Sequence, residues 1–154
     1  MKINQALENV KILGVDSSPL IYFIERSPRY IDLMRVIVKR IDEGTIEALT
    51  SVITLTEVLV QPIKFNNVTI EQSYRQILSG SRNFTLKAIT YDIAEQAARL
   101  RAKYNLKTPD ALQVAASLDG GCDAFLTNDL GLKRVDEIQI LVLDELEIDP
   151  STNT

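Results

Sequence analysis

Hydrophobic residues along this chain gather into short runs, separated by longer stretches with helical spacing. Lys11–Val15 (KILGV) reads as a buried strand. Ser17 and Ser18 are helix-capping types and Pro19 suits a first turn, so Leu20–Arg26 reads as a helix, broken at Ser27-Pro28. Tyr30–Glu43 places Ile31, Met34, Ile37, Val38 and Ile41 at helical spacing and stops at Gly44. Ile46–Thr50 reads as the next strand, Ser51–Gln61 as a helix ending at Pro62, and Val68–Leu78 as a helix before Gly80. Phe84–Ile89 is a strand and Tyr91–Tyr104 a strong helix. Thr108-Pro109 opens one more helix, capped by Thr108, which closes on Gly120-Gly121. Ala124–Thr127 and Ile138–Leu143 are the last strands.

Strands separated by helices need crossover connections, which give a mostly parallel sheet covered on both faces. The expectation is a single α/β domain spanning 11–143, with an N-terminal extension over 1–10 and an acidic, frayed tail over 144–154. In such sheets ligands bind beyond the carboxyl ends of the strands, near a switch in strand order. The residues just after strands are therefore the candidates for chemistry.

Composition narrows that chemistry. Among 154 residues there is no histidine and one cysteine, Cys122. Ser–His and Cys–His nucleophile pairs, histidine-ligated zinc, thiolate clusters and an intrachain disulfide are excluded. Cys122, beside a glycine pair, reads as an inert buried thiol. Carboxylates, hydroxyls, Lys and Arg remain, a set that favours hard, oxygen-ligated cations such as Mg²⁺ or Mn²⁺. The net charge of −4, from 17 basic and 21 acidic residues, argues against a purely electrostatic nucleic-acid binder. It leaves a nuclease open, because metal-binding acids count as negative until the metal arrives. No apolar run approaches the roughly 18 residues needed to span a bilayer, and Met1–Lys11 lacks an apolar signal core, so the expectation is a soluble cytoplasmic protein without a membrane partner.

Four acids stand apart from the charged faces. Asp16 follows the first strand and Asp129 the Ala124–Thr127 strand; Glu57 lies on the helix after the second strand, and Asp110 in the first turn of the helix opened by Thr108. Three of them are each the sole charge in a long uncharged stretch: Ile12–Ile24 for Asp16, Ala48–Ile63 for Glu57 and Thr108–Leu118 for Asp110. Singly, Asp16 and Asp129 could cap the turns that follow them, and Asp110 could complement a helix dipole. Together, two lie at strand ends and two on helices leaving the same sheet edge. Four such carboxylates cannot all ionise side by side without a compensating cation.

These residues sit in segments that resemble a known family. Asp16-Ser17-Ser18, Leu55-Thr56-Glu57-Val58-Leu59, Thr108–Ala116 (TPDALQVAA) and Phe125-Leu126-Thr127-Asn128-Asp129 follow the order and spacing of PIN-domain nucleases, especially single-domain VapC-type toxins of toxin–antitoxin pairs. The resemblance covers about Lys11–Leu143. It implies a three-layer fold around a five-stranded parallel sheet and Mg²⁺- or Mn²⁺-dependent cleavage of RNA. It also implies an acidic site matching Asp16, Glu57, Asp110 and Asp129. Asp16, Asp110 and Asp129 are the principal metal-ligand candidates, with Glu57 a ligand or the group that orients water. Ser18 and Thr127 match the family's small polar positions beside the acids; Thr127, with Ser18 and Asn128, would hold carboxylates or water by hydrogen bonds. An antitoxin chain and a homodimer are implied as partners. The apolar circumference of the Ser51–Gln61 helix independently points to an interface. The family departs from this chain in starting almost on the first strand, where this one begins some ten residues earlier.

Rivals are weaker. A haloacid-type hydrolase needs a second Asp where Ser18 stands, and a receiver needs a Lys after the last strand, where Asp144 stands. A PIN-like module that binds RNA or protein without cleaving is the alternative of a different class. Around the acids, Arg99, Arg101, Lys103 and Lys107, and after the first helix Arg26, Arg29, Arg35, Lys39 and Arg40, read first as solvated helix faces. Tyr22, Phe23 and Tyr30 read first as packing residues.

Overall fold

The computed structural model describes residues 1–150. Its centre is a five-stranded sheet, β1 (Ile12–Val15), β2 (Glu47–Ser51), β3 (Phe84–Lys87), β4 (Ala124–Thr127) and β5 (Gln139–Val142), in the order β3-β2-β1-β4-β5. All four pairings are parallel, as Leu13 opposite Ala48 on one side and Ala124 on the other illustrates for the central strand. The expected parallel α/β fold is therefore present. The chain adds β2 and β3 on one side of β1, then crosses to add β4 and β5 on the other. The order switches between β1 and β4, which leaves a crevice at their carboxyl ends.

Seven α-helices among the described residues connect the strands: α1 (Ile3–Ala6), α2 (Ser17–Ile24), α3 (Ile31–Asp42), α4 (Val52–Lys64), α5 (Val68–Gly80), α6 (Tyr91–Tyr104) and α7 (Thr108–Asp119). Alternation along the strands feeds two cores. Leu13, Val15, Ala124 and Leu126 face α1 to α5, against Ile3, Met34, Ile37 and Tyr74. Phe125 faces the opposite layer of α6 and α7, against Ile93, Leu100, Val114 and Ala115. On that second face Gly14 lets α7 approach closely: a Cβ there would lie 2.1 Å from Ser117 Oγ.

Several boundaries differ from the sequence reading for local reasons. α2 starts at Ser17 rather than Leu20, because Asp16 caps it and Pro19 is accommodated before the first intrahelical N–H is needed. α4 runs through Pro62 to Lys64 instead of stopping. Burial of Pro62 and of Val58 and Leu59 outweighs the one hydrogen bond the ring removes. Thr108 does not cap α7; it is the first helical residue, behind Lys107, and no side chain caps that end.

The tail differs most. Residues 143–145 form a 3₁₀ turn and Leu146 is buried. Ile3 N–H donates to Glu147 O at 2.8 Å, Glu147 N–H to Met1 O at 2.9 Å, and Asn4 N–H to Asp149 at 2.9 Å. The N-terminal extension and the described part of the tail thus tie each other down through paired backbone groups and the wholly buried Ile3. The rest of the predicted frayed tail, residues 151–154, lies outside the described residues.

Candidate active site

The crevice at the strand switch receives the carboxylates. Asp16 leaves the end of β1 as the N-cap of α2, and its Oδ1 accepts Ser17 N–H at 2.8 Å. Its Oδ2 accepts the hydroxyl of Thr127, the last residue of β4, also at 2.8 Å. That hydroxyl in turn accepts Asp129 N–H at 3.1 Å. Thr127, fully buried, therefore stitches the ends of the two central strands together. Asp129 opens the 3₁₀ turn Leu130–Arg134 and caps it through Gly131 N–H at 2.8 Å. Capping and ligand roles are compatible here, since a carboxylate has about four acceptor sites and each cap uses one.

Glu57 reaches the crevice from the second turn of α4. Its Oε1 accepts the Ser17 hydroxyl at 2.7 Å. Asp110 arrives from the first turn of α7, half-buried and without a hydrogen bond among the described residues.

Electrostatics tie the four together. Burial raises the pKa of Asp16, and the negative charges of Glu57 and Asp129 add to the rise; the Thr127 hydroxyl and Ser17 N–H oppose it. Burial also raises Asp110, followed by the charges of Asp16 and Asp129, with Lys107 and Arg134 pulling the other way. Among the described residues none of the four acids makes an ion pair. Nor, among them, are three or more Asp, Glu or Cys side chains drawn close enough to hold a metal ion as they stand. The donor set is nevertheless all hard oxygen and negative, which suits a hard divalent cation.

The sequence profile of the PIN domain matches residues 14–138. The chain belongs to the PIN domain family. The fold agrees with solved members of toxin–antitoxin assemblies. VapBC2 from Rickettsia felis, bound to a DNA fragment from its promoter, is similar with a TM-score of 0.67 at 14% identity, over 85% of this chain and 98% of the other. A toxin–antitoxin complex from Klebsiella pneumoniae gives 0.63 at 24% identity, over 86% and 97%. DNA-bound VapBC from Salmonella typhimurium gives 0.65 at 17% identity, over 87% and 98%. At these identities the likeness is one of fold. None of the curated proteins matches the chain in sequence.

Within this PIN domain the small polar residues are not distributed as the motifs imply. Thr127 touches Asp16 as expected. Ser18 forms no side-chain hydrogen bond among the described residues; its neighbour Ser17 holds Glu57 instead. Asn128 turns away from the acids. Its amide donates to Tyr30 OH at 3.0 Å and Tyr22 OH at 3.3 Å, and its carbonyl oxygen accepts Asp144 N–H at 3.0 Å. Tyr22 and Tyr30 stack with ring centres 4.2 Å apart, and Tyr30 OH donates to Asp144 at 2.6 Å, so both rings are packing residues.

A buried polar layer beneath the acids was not anticipated. Gln113 accepts the Ser51 hydroxyl at 2.6 Å and donates to Thr54 Oγ1 at 2.6 Å, and Thr54 is 2.7 Å from Thr50 Oγ1 and 3.2 Å from Ser17 Oγ. Among the described residues no buried side-chain polar atom lacks a partner. The signal available was a glutamine on the apolar face of α7, one turn after Asp110. Arg99 and Lys103 are paired with Glu95 and Glu137, as solvated faces should be. Burial pushes the half-buried Cys122 thiol up to about 12, which keeps it protonated and inert at neutral pH.

Proposed function

We propose that this PIN domain is a divalent-metal-dependent endoribonuclease and the toxin of a VapBC-type pair. The observation that carries the reading is the crevice itself: carboxylates from the end of β1, α4, α7 and the end of β4, of which Asp16 and Asp110 have their proton affinity raised by burial and then by acidic neighbours, and none of which makes an ion pair among the described residues. Asp16, Asp110 and Asp129 would hold the ion, with Glu57 as a further ligand or as the group that orients water. Bound there, Mg²⁺ or Mn²⁺ would neutralise the phosphodiester charge and lower the pKa of an attacking water.

The chain's own residues prepare that chemistry. Ser17 N–H and the Thr127 hydroxyl fix both oxygens of Asp16, and each oxygen keeps a further acceptor site for an ion. The Ser17 hydroxyl fixes Glu57 Oε1, leaving Oε2 to accept a hydrogen bond from water and align its lone pair. The Gln113 layer holds Ser17 from below, so this geometry is set before substrate arrives.

A partner surface supports the toxin reading. Val60, Ile63, Phe65 and Val68 are each more than half exposed at the α4–α5 corner, and Leu55, Leu59, Val60 and Ile63 line an open groove along α4. Apolar surface of this kind fits a homodimer contact or an antitoxin helix. The assembly would act in the cytoplasm; among the described residues no helix is long and apolar enough to cross a membrane. Incubation of the purified chain with single-stranded RNA should give cleavage in Mg²⁺ or Mn²⁺ and none in EDTA. Binding without cleavage in every metal would replace the nuclease with a binding module.

A further inference from the structure

Two basic side chains border the crevice without a carboxylate partner. Nine of the chain's basic residues are ion-paired with acids elsewhere, but among the described residues neither Arg134 nor Lys107 is. Arg134 ends the 3₁₀ turn that Asp129 caps. Its Nε donates to Tyr104 O at 2.9 Å and its Nη2 to Asn105 O at 3.4 Å. Asn105 adopts a left-handed conformation, φ 55°, as the C-cap of α6, so these carbonyls belong to a fixed helix end. A guanidinium has five N–H donors. Two are committed to the helix end, which leaves both on Nη1 and one on Nη2 for a ligand.

The guanidinium is held beside the acids rather than on them. A Cβ built on Gly131 would lie 3.0 Å from Asp129 Oδ1 and 3.4 Å from Arg134 Nη1, so carboxylate and guanidinium flank one point above the turn. The charges of Lys107 and Arg134 also reach Asp110. Opposite charges this close, left unpaired while the arginine is anchored to backbone, are what a strand carrying its own phosphates needs: cation-binding acids for the reacting group and a planar donor for its neighbour.

We propose that Arg134, with Lys107 as a weaker second contact, holds a phosphate of the RNA strand adjacent to the bond broken at the four acids. This rests on the ribonuclease reading above. A phosphate contact positions the strand and carries no sequence information.

The test is fluorescence anisotropy of a labelled single-stranded oligoribonucleotide with the full chain in Ca²⁺ across a salt series, together with steady-state cleavage in Mg²⁺ and thermal melts. Arg134→Ala should raise the Kd roughly tenfold, equally for uridine-rich and adenosine-rich strands. It should flatten the slope of log K against log salt by about 0.7, the step for one contact on a single strand. Arg134→Lys should restore the slope but only part of the affinity, since an ammonium lacks the planar fork. Lys107→Gln should flatten the slope with a smaller loss of affinity. Wild-type binding and cleavage with an unchanged Kd and slope in Arg134→Ala would overturn the proposal and leave the ribonuclease reading standing. So would a lower melting temperature and kcat with KM and slope unchanged, which would make Arg134 a strut between α6 and the 3₁₀ turn. If the wild type neither binds nor cleaves RNA, both readings fall.

Discussion

Gln113→Leu probes whether the buried polar layer sets the acidic site. Gln113, Ser51, Thr54 and Thr50 are each at most 2% exposed, so no water replaces a lost partner. The substitution keeps side-chain volume roughly constant and removes the acceptor of the Ser51 O–H and the donor to Thr54, both at 2.6 Å. Thr54 retains Thr50 and Ser17 as partners, but the Ser51 proton is left without an acceptor. One buried orphan costs about 1–3 kcal/mol. A loss near 2 kcal/mol should lower Tm by roughly 4–8 °C in a domain of this size. Ser51→Ala should cost a similar amount, because it orphans Gln113 Oε1 and removes the cap to Ile53 N–H, itself about 1 kcal/mol. The double variant removes both partners, so its cost should fall short of the sum by about 1–2 kcal/mol. Urea unfolding of the four proteins measures that coupling. Additivity within about 0.5 kcal/mol would refute the reasoning, because the pair would then contribute nothing as a pair.

Asp16→Asn should abolish cleavage and, in EDTA at neutral pH, raise stability by roughly 1 kcal/mol, since the amide can still cap α2 while one crowded charge is gone; a lower melting temperature would make Asp16 a purely structural cap. Asp16 and Asp110 are acids whose folded-state pKa is raised above 3.8, so the folded chain holds protons that the unfolded chain has released, and metal-free stability falls as pH rises through that window. The advantage of Asp16→Asn over wild type in EDTA should therefore grow from about pH 4 towards neutrality, and an advantage independent of pH would contradict it. Mn²⁺ at a hundredfold excess over its Kd should stabilise the wild type by about 2.7 kcal/mol and the Asp16→Asn/Asp129→Asn double variant far less, read as shifts in Tm. Gly14→Ala should destabilise by about 1–3 kcal/mol or more, because its Cβ would collide with Ser117 Oγ and Cβ and Phe125; wild-type stability on denaturant unfolding would mean that α7 can retreat freely.

Sequence alone determined the layered fold and singled out the four acids as candidates. Strand-length apolar runs alternating with helical periodicity admit few arrangements other than a covered parallel sheet, because crossovers of that length forbid hairpins. An acid isolated among apolar residues announces itself, since nothing nearby in the chain offsets its burial. Chain order could also place Asp16 and Asp129 after strands, and strand ends are where open parallel sheets bind. Tertiary structure decided what depends on distances between residues remote in sequence. Ser17 rather than Ser18 faces Glu57 because Asp16, not Ser17 or Ser18, takes the capping position, which rotates the helix start. Asn128 turns to two tyrosines and the Asp144 backbone, although its neighbours Thr127 and Asp129 serve the crevice, because successive residues leaving a strand point to opposite sides. Gln113 is one polar interruption in an apolar helix, and only the packing of α7 beside β2, α2 and α4 supplies its three hydroxyl partners. The tail, polar enough to read as frayed, is held at Glu147 by backbone hydrogen bonds to the other end of the chain, with the Asp149 side chain accepting Asn4 N–H beyond it. Pairing of that kind leaves almost no trace in composition, because it is made by groups that every residue carries.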